Sequence, residues 1–238
     1  DIGGFGPFPN CTLEQLRQAQ VICLQGNYDQ AISHGERDCG CGYTDPRDQQ
    51  FAQISYDYTY AHTAPEHRQW LQTLPQLIRL RWRDHRFLLC HGSPDVVNEF
   101  VWESDTADQW IADCLERAEV DGIFATHTGI PWIRTVAQGF WCNVGVLGRP
   151  AHEGRPHVYF AEMSGATGAV APVPQIRPLT YDPQPVVQAM ASEGLPLEFQ
   201  QSLLTGVWTT CAEILPVAER RLRSRLPTPQ LSSAAPPR

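Results

Sequence analysis

The sequence has 238 residues, 42% of them hydrophobic and 18% charged, which supports a sizeable core and excludes a disordered chain. The net charge is −8 with no Lys/Arg run, which argues against a surface for nucleic-acid phosphates. No apolar stretch approaches membrane-spanning length, and the opening residues have neither the basic start nor the apolar run of a signal peptide.

Taken in chain order, "DIGGFGPFPN" reads as a loop from its Gly and Pro. "TLEQLRQAQ" (12–20) reads as a short helix, with Thr12 and Gln15 spaced as a capping box. "VICLQ" (21–25) is expected to be a buried strand, with "GNYDQ" (26–30) as the loop at its carboxyl end. Residues 34–48, cut up by Gly and Pro, read as a long excursion. Helices are expected over 49–62 and 63–74, the second capped by Thr63 with Glu66 and opened by Pro65. "LIRLRW" and "RFLLC" flank the turn "RDH" as a hairpin, and the second strand runs into "HGSP" (91–94). A helix over 106–119 leads to the strand "VDGIFA" and then His127. "WIRTV" and "FWCNV" form a second hairpin, "HVYFAEM" and "VPQIRPLTY" are two more strands, and two Pro-opened helices follow. The Pro- and Ser-rich tail has the composition of a disordered segment.

This is the pattern of a layered α/β domain. The expected organisation is a core over 1–182 with a helical insertion at about 46–74, a helical extension over 183–222 and a tail over 223–238. The eight cysteines are even in number, but the chain has core enough to fold without staples. Cys23 and Cys90 sit inside apolar runs, so a reduced, cytoplasmic protein is expected. Cys39 and Cys41 form a Cys-x-Cys pair whose readings are a redox couple, a metal site or neither.

Three polar clusters each follow an apolar run: Asn27–Asp29, His91–Ser93 and His127. Ligand sites in open α/β sheets gather at the carboxyl ends of strands. Two His and one Asn there, with Asp1 in a Gly-rich loop, make a mixed nitrogen and oxygen set suited to Mn, Fe, Zn or a similar divalent ion. Asn143 reads either as a neighbour of such a metal or as a turn residue before Gly145. Arg149, His62 and His67 read as solvated side chains, and Tyr56, Tyr58, Tyr60 and Trp70 as packing of a helical layer.

These residues carry a resemblance to the calcineurin-like metallophosphoesterases, in particular their small bacterial phosphodiesterase-like branch. "DIGGFGPFPN" resembles the loop that holds the bridging carboxylate, "GNYDQ" resembles "GNHD", "HGSP" resembles "HG", "THTG" resembles "GHTH", and "NVGVLGRP" (143–150) resembles "NPGSVG". The order holds from residue 1 to about 182. The resemblance implies a four-layer α/β sandwich that hydrolyses a phosphomonoester or phosphodiester through a metal-bound hydroxide. By position it implies Asp1 as the bridging ligand and Asn27, His91 and His127 as ligands of the second metal. Tyr28 would touch the substrate, and Asp29 would orient Tyr28 or cap the following helix.

The departures lie on the first-metal side. Gly129 stands where the second His of "GHTH" would ligate, and Tyr28 stands where "GNHD" has its His. The family's "Asp-x-His" motif, with the strand–helix–strand that carries it, would precede Asp1, so a longer natural chain is expected. One strongly held divalent transition metal and a second weakly held one follow from this pattern. The alternative is a catalytically impaired relative serving as a metal-containing binding or regulatory module. The expected partner is a small phosphoester, with no membrane and no nucleic acid.

Overall fold

The computed structural model describes residues 1–164 and 172–220. Four helices come first: α1 (Pro9–Gln18), α2 (Asn27–His34), α3 (Pro46–Ala61) and α4 (Pro65–Gln72). Then follow β1 (Ile78–Trp82), β2 (His85–Leu89), α5 (Asp108–Ala118), β3 (Gly122–Ala125), β4 (Trp132–Val136) and β5 (Gly139–Asn143). The last elements are β6 (His157–Glu162), β7 (Gln175–Thr180), α6 (Gln184–Ser192) and α7 (Leu197–Thr205).

Five strands form one mixed sheet in the order β1-β2-β3-β5-β4. The inner strands β2, β3 and β5 run parallel, and the hairpin partners β1 and β4 close the two edges antiparallel. Both faces of the inner strands are covered, which is why they read as nearly continuous apolar runs. Leu88, Ile123 and Trp141 point to the α5 side, where they meet Ile111, Cys114 and Leu115. Phe87, Phe140 and Cys142 point to the other side, against Ala161, Met163 and Ile176 of the β6–β7 segment. Those two strands form a separate antiparallel sheet. The first helices have their own core of Leu13, Ile32, Tyr56 and Leu71. Phe51, Ile54 and Tyr58 of α3 receive Val187, Met190, Phe199 and Leu203 of α6 and α7.

Several local expectations are corrected. Residues 21–25 are not a strand, and Ile22 is 82% exposed. Extended backbone becomes a strand only when a neighbour takes up its hydrogen bonds, and among the described residues none pairs with this segment. Cys23 is accordingly half-buried, whereas Cys90 is buried as expected. Residues 27–30 open a helix and are not a loop. Thr12 lies inside α1 and its hydroxyl donates back to the Phe8 carbonyl, because Pro9 starts the helix earlier. Thr63 likewise donates to the Thr59 carbonyl instead of capping α4. His67 is buried and sits 3.3 Å from the Arg17 guanidinium. Arg149 lies 3.9 Å over the Trp208 ring and is no free surface charge. Cys39 and Cys41 are joined as a disulfide, so not every thiol is reduced.

The tail expected over 223–238 lies outside the described residues. Among the described residues no helix is long and apolar enough to cross a membrane.

Candidate metal centre

The parallel register of β2 and β3 creates the centre. Leu89 pairs with Phe124, and the ladder continues past both strands: Cys90 N donates to Phe124 O at 2.9 Å, and Thr126 N to His91 O at 2.9 Å. Two adjacent strands therefore end at the same height, each with a histidine just beyond. His91 Nε2 lies 3.0 Å from His127 Nδ1, with the rings edge to face. Past His91 the chain must fold back at once, and Gly92 allows it. A Cβ there would lie 2.6 Å from Glu99 N and 2.7 Å from Val96 O.

Asp1 joins from a third direction. Its Oδ2 is 3.3 Å from His91 Nε2, and its main-chain nitrogen is 3.2 Å from His91 Nδ1. Its Oδ1 accepts from Tyr28 N at 3.0 Å. This approach needs Gly26, where a Cβ would fall 2.1 Å from Asp1 Oδ1. Asp29 fixes the same junction: its carboxylate accepts from Gly26 N and from Ile2 N, each at 2.9 Å. It thus caps α2 and ties the first residues to it. Its carboxylate is spent on main-chain donors and does not reach the Tyr28 hydroxyl.

The ligand atoms of Asp1, His91 and His127 all lie within 4.8 Å of one another. Burial holds both imidazoles well below the usual histidine range, helped at His127 by His91. Both rings are therefore neutral and keep a lone pair for a cation. Among the described residues six buried side-chain atoms have no hydrogen-bond partner, and two of them belong to this region: Asn27 Oδ1 and His127 Nε2. A buried acceptor without a donor, as Asn27 Oδ1 is, is costly, and a cation relieves it. A carboxylate and two neutral imidazoles, with the unpaired Asn27 amide oxygen as a further candidate, fit a divalent ion with oxygen and nitrogen preference.

Asn27 is turned by its other end: its Nδ2 donates to Cys39 O at 2.7 Å and lies 3.3 Å from Cys41 Sγ. The Cys41 main chain in turn adjoins the His127 ring. His127 itself has φ +27°, a region that side-chain-bearing residues rarely occupy and that often marks a functional position.

The Tyr28 side chain does not line this group. Its ring packs against Tyr56 and Gly4, and its hydroxyl donates to Ala52 O at 3.2 Å. Burial raises its pKa far above the usual tyrosine value.

Two residues at the centre carried little or no signal in the sequence. Asn143 donates to Thr126 O at 2.6 Å and Thr128 Oγ1 at 2.8 Å, and accepts from Gly145 N at 3.1 Å. It holds the residues on both sides of His127 and is more than a turn former. Phe100 covers His127 at 4.3 Å between centroids and stacks on Trp102. No motif surrounds it. On the Gly129 side, at φ +72°, a Cβ would meet the Trp208 ring at 3.4 Å.

Neither a protein-family model nor a curated protein matches the chain. Solved structures do. A hypothetical protein of Pyrococcus horikoshii OT3 matches at 19% identity and TM-score 0.71, over 87% of this chain and 82% of that one. A metallophosphoesterase of Sphaerobacter thermophilus matches at 23% identity and TM-score 0.60, over 87% and 86%. The chain has the metallophosphoesterase fold. At these identities the likeness concerns the fold, and the chemistry has to be argued from the side chains.

Proposed function

We propose that this protein is a metal-dependent phosphoesterase that hydrolyses a small phosphomonoester or phosphodiester. The observation that carries the reading is the convergence of Asp1, His91 and His127 within 4.8 Å, with Asn27 Oδ1 buried and unpaired. Asp1, Asn27, His91 and His127 would hold a Mn, Fe or Zn ion, which supplies Lewis acidity toward a phosphoryl group and neutralises its charge. The chain's own residues keep that set ready. Burial keeps the imidazoles unprotonated, Asp29 pins the first residues on α2, and Phe100 shields one side of His127 from water.

With Gly129 facing Trp208, no side chain at that position reaches a second ion, which supports one strongly held metal and a weaker second. The Tyr28 hydroxyl, bound to Ala52 O, is not placed to protonate a leaving group. The reading therefore favours esters whose leaving groups need little protonation. The same Gly129 geometry is what favours the rival, a metal-containing binding module without turnover.

The test is hydrolysis of p-nitrophenyl phosphate and bis-p-nitrophenyl phosphate by Mn²⁺-loaded protein, against an His91→Ala/His127→Ala control. Turnover that vanishes in the control supports the enzyme. Turnover no greater than the control on either ester rejects it in favour of the binding module.

A further inference from the structure

We propose that the Cys39–Cys41 disulfide is a thiol-exchange site for a small neutral dithiol, and that its redox state sets the grip on Asn27. The consequence for metal affinity rests on the metal-centre reading above. The grip on Asn27 does not.

The three-residue loop has two sides. Its outer side forms a cavity of about 390 Å³, lined by Asp38, Tyr43, Gln49 and Gln53 together with the two cysteines. Cys39 and Cys41 are only 4% and 8% exposed, yet Gly40 between them is open: a Cβ there would meet nothing within 4 Å. A small reagent can enter where a protein surface would not. Asp38 at the mouth and the net charge of −8 disfavour anionic thiols. The inner side faces the centre, where Cys39 O and Cys41 Sγ are the two acceptors of Asn27 Nδ2, at 2.7 and 3.3 Å. The loop is clasped from both flanks. Asn98 Nδ2 donates to Gly40 O at 2.7 Å, and Gly40 N donates to Asp38 Oδ1 at 2.8 Å. One disulfide sulfur is thus also a hydrogen-bond partner of a candidate ligand whose oxygen is unpaired.

The exchange balances with the dithiol alone. A thiolate of the reagent attacks one sulfur, the S–S bond breaks, and the other cysteine leaves as a thiolate and takes a proton. The second thiol of the reagent then attacks the mixed disulfide and releases the first cysteine, which is protonated in turn. The protein gains two electrons and two protons, and the reagent ends as a cyclic disulfide. Both cysteine side chains then rotate independently, and Cys41 Sγ is no longer fixed opposite Asn27. Loss of one outer partner of a metal ligand costs about tenfold in affinity, the lower end of the usual range.

The experiment uses the full chain. Thiols open in the oxidised protein are blocked first, dithiothreitol is applied under native conditions and removed, and new thiols are mapped with an isotopically heavy alkylator. The Asn27 side-chain amide resonance, identified by its loss in Asn27→Asp, is followed in ¹⁵N spectra of metal-free protein. The affinity for Mn²⁺ alone is measured by electron paramagnetic resonance. The expected result is heavy label on Cys39 and Cys41 with the circular dichroism unchanged, a shifted Asn27 amide, an Mn²⁺ dissociation constant raised about tenfold, and reversal on reoxidation. A Cys39→Ser/Cys41→Ser variant matches the reduced protein and ignores the dithiol. Absence of heavy label, an unmoved Asn27 amide, or Mn²⁺ binding that is unchanged or tighter after reduction overturns the proposal. If neither form binds Mn²⁺, the metal-centre reading fails while the Asn27 amide still decides the latch.

Discussion

Replacing Asn143 by Ala tests whether the loop carrying His127 is held from the sheet. Asn143 is 1% exposed and makes three hydrogen bonds, two donated to Thr126 O and Thr128 Oγ1 and one accepted from Gly145 N. Thr128 Oγ1 keeps a second partner in Ile130 N at 3.3 Å, so its loss is the smallest. Thr126 O and Gly145 N each lose the side-chain partner supplied from β5. A buried group stranded in this way costs about 1–3 kcal/mol, so the three together cost about 3–4 kcal/mol. In a domain of this size each kcal/mol lowers Tm by about 2–4 °C, which puts the fall near 10 °C. The loop is then free on both sides of His127, and Mn²⁺ affinity drops by about tenfold or more. Asn143→Asp is no rescue, since it keeps the acceptor for Gly145 N but turns a carboxylate toward Thr126 O. Thermal unfolding followed by circular dichroism and Mn²⁺ titration read the two effects. An Asn143→Ala protein with Tm within about 2 °C of the parent and unchanged Mn²⁺ affinity refutes the bracing role.

Gly26→Ala places a Cβ 2.1 Å from Asp1 Oδ1. Asp1 is the more exposed partner and gives way, so Mn²⁺ affinity falls by about tenfold or more, and equal affinity would remove Asp1 from the ligand set. Tyr28→Phe removes the hydroxyl bond to Ala52 O, costing about 1 kcal/mol in urea unfolding. Aryl ester turnover stays the same, whereas a loss of about tenfold would place the hydroxyl on the substrate after all. In metal-free protein, burial lowers the folded-state pKa of His91 and His127 below the ordinary 6.5. The unfolded chain therefore takes up protons first as pH falls, so stability is highest above about pH 6.5 and declines below it. The decline is at most about 1.4 kcal/mol per pH unit for each histidine, and it stops below the folded pKa values. Urea midpoints that stay flat from pH 7 to pH 5 in the metal-free protein, yet fall in its His91→Ala/His127→Ala variant, count against this.

The sequence alone determined the elements whose signals are local and strong. The runs "RFLLC", "VDGIFA" and "FWCNV" announce strands, and the structure forms β2, β3 and β5 there and covers both faces of each. The turns at 83–84 and 137–138 fix the two hairpins, because a short connection leaves antiparallel pairing as the only economical arrangement. The motif order also marked His91 and His127 as a pair. Tertiary structure decided the rest. "VICLQ" has the local signature of a strand, but a strand exists only with a neighbour, and 21–25 is left as coil. Tyr28 sits next to Asn27 in sequence, yet the helical rotation of α2 sends their side chains to different surroundings, one to Cys39 and the other to Ala52. Asp29 is one polar residue among several until the fold brings Ile2 N to its carboxylate. The contacts of Cys41 with Asn27 and of Phe100 with His127 join residues far apart in the chain, and no local pattern encodes them. The sequence sets what each segment can do alone, whereas these contacts depend on which segments the sheet register brings to the same height.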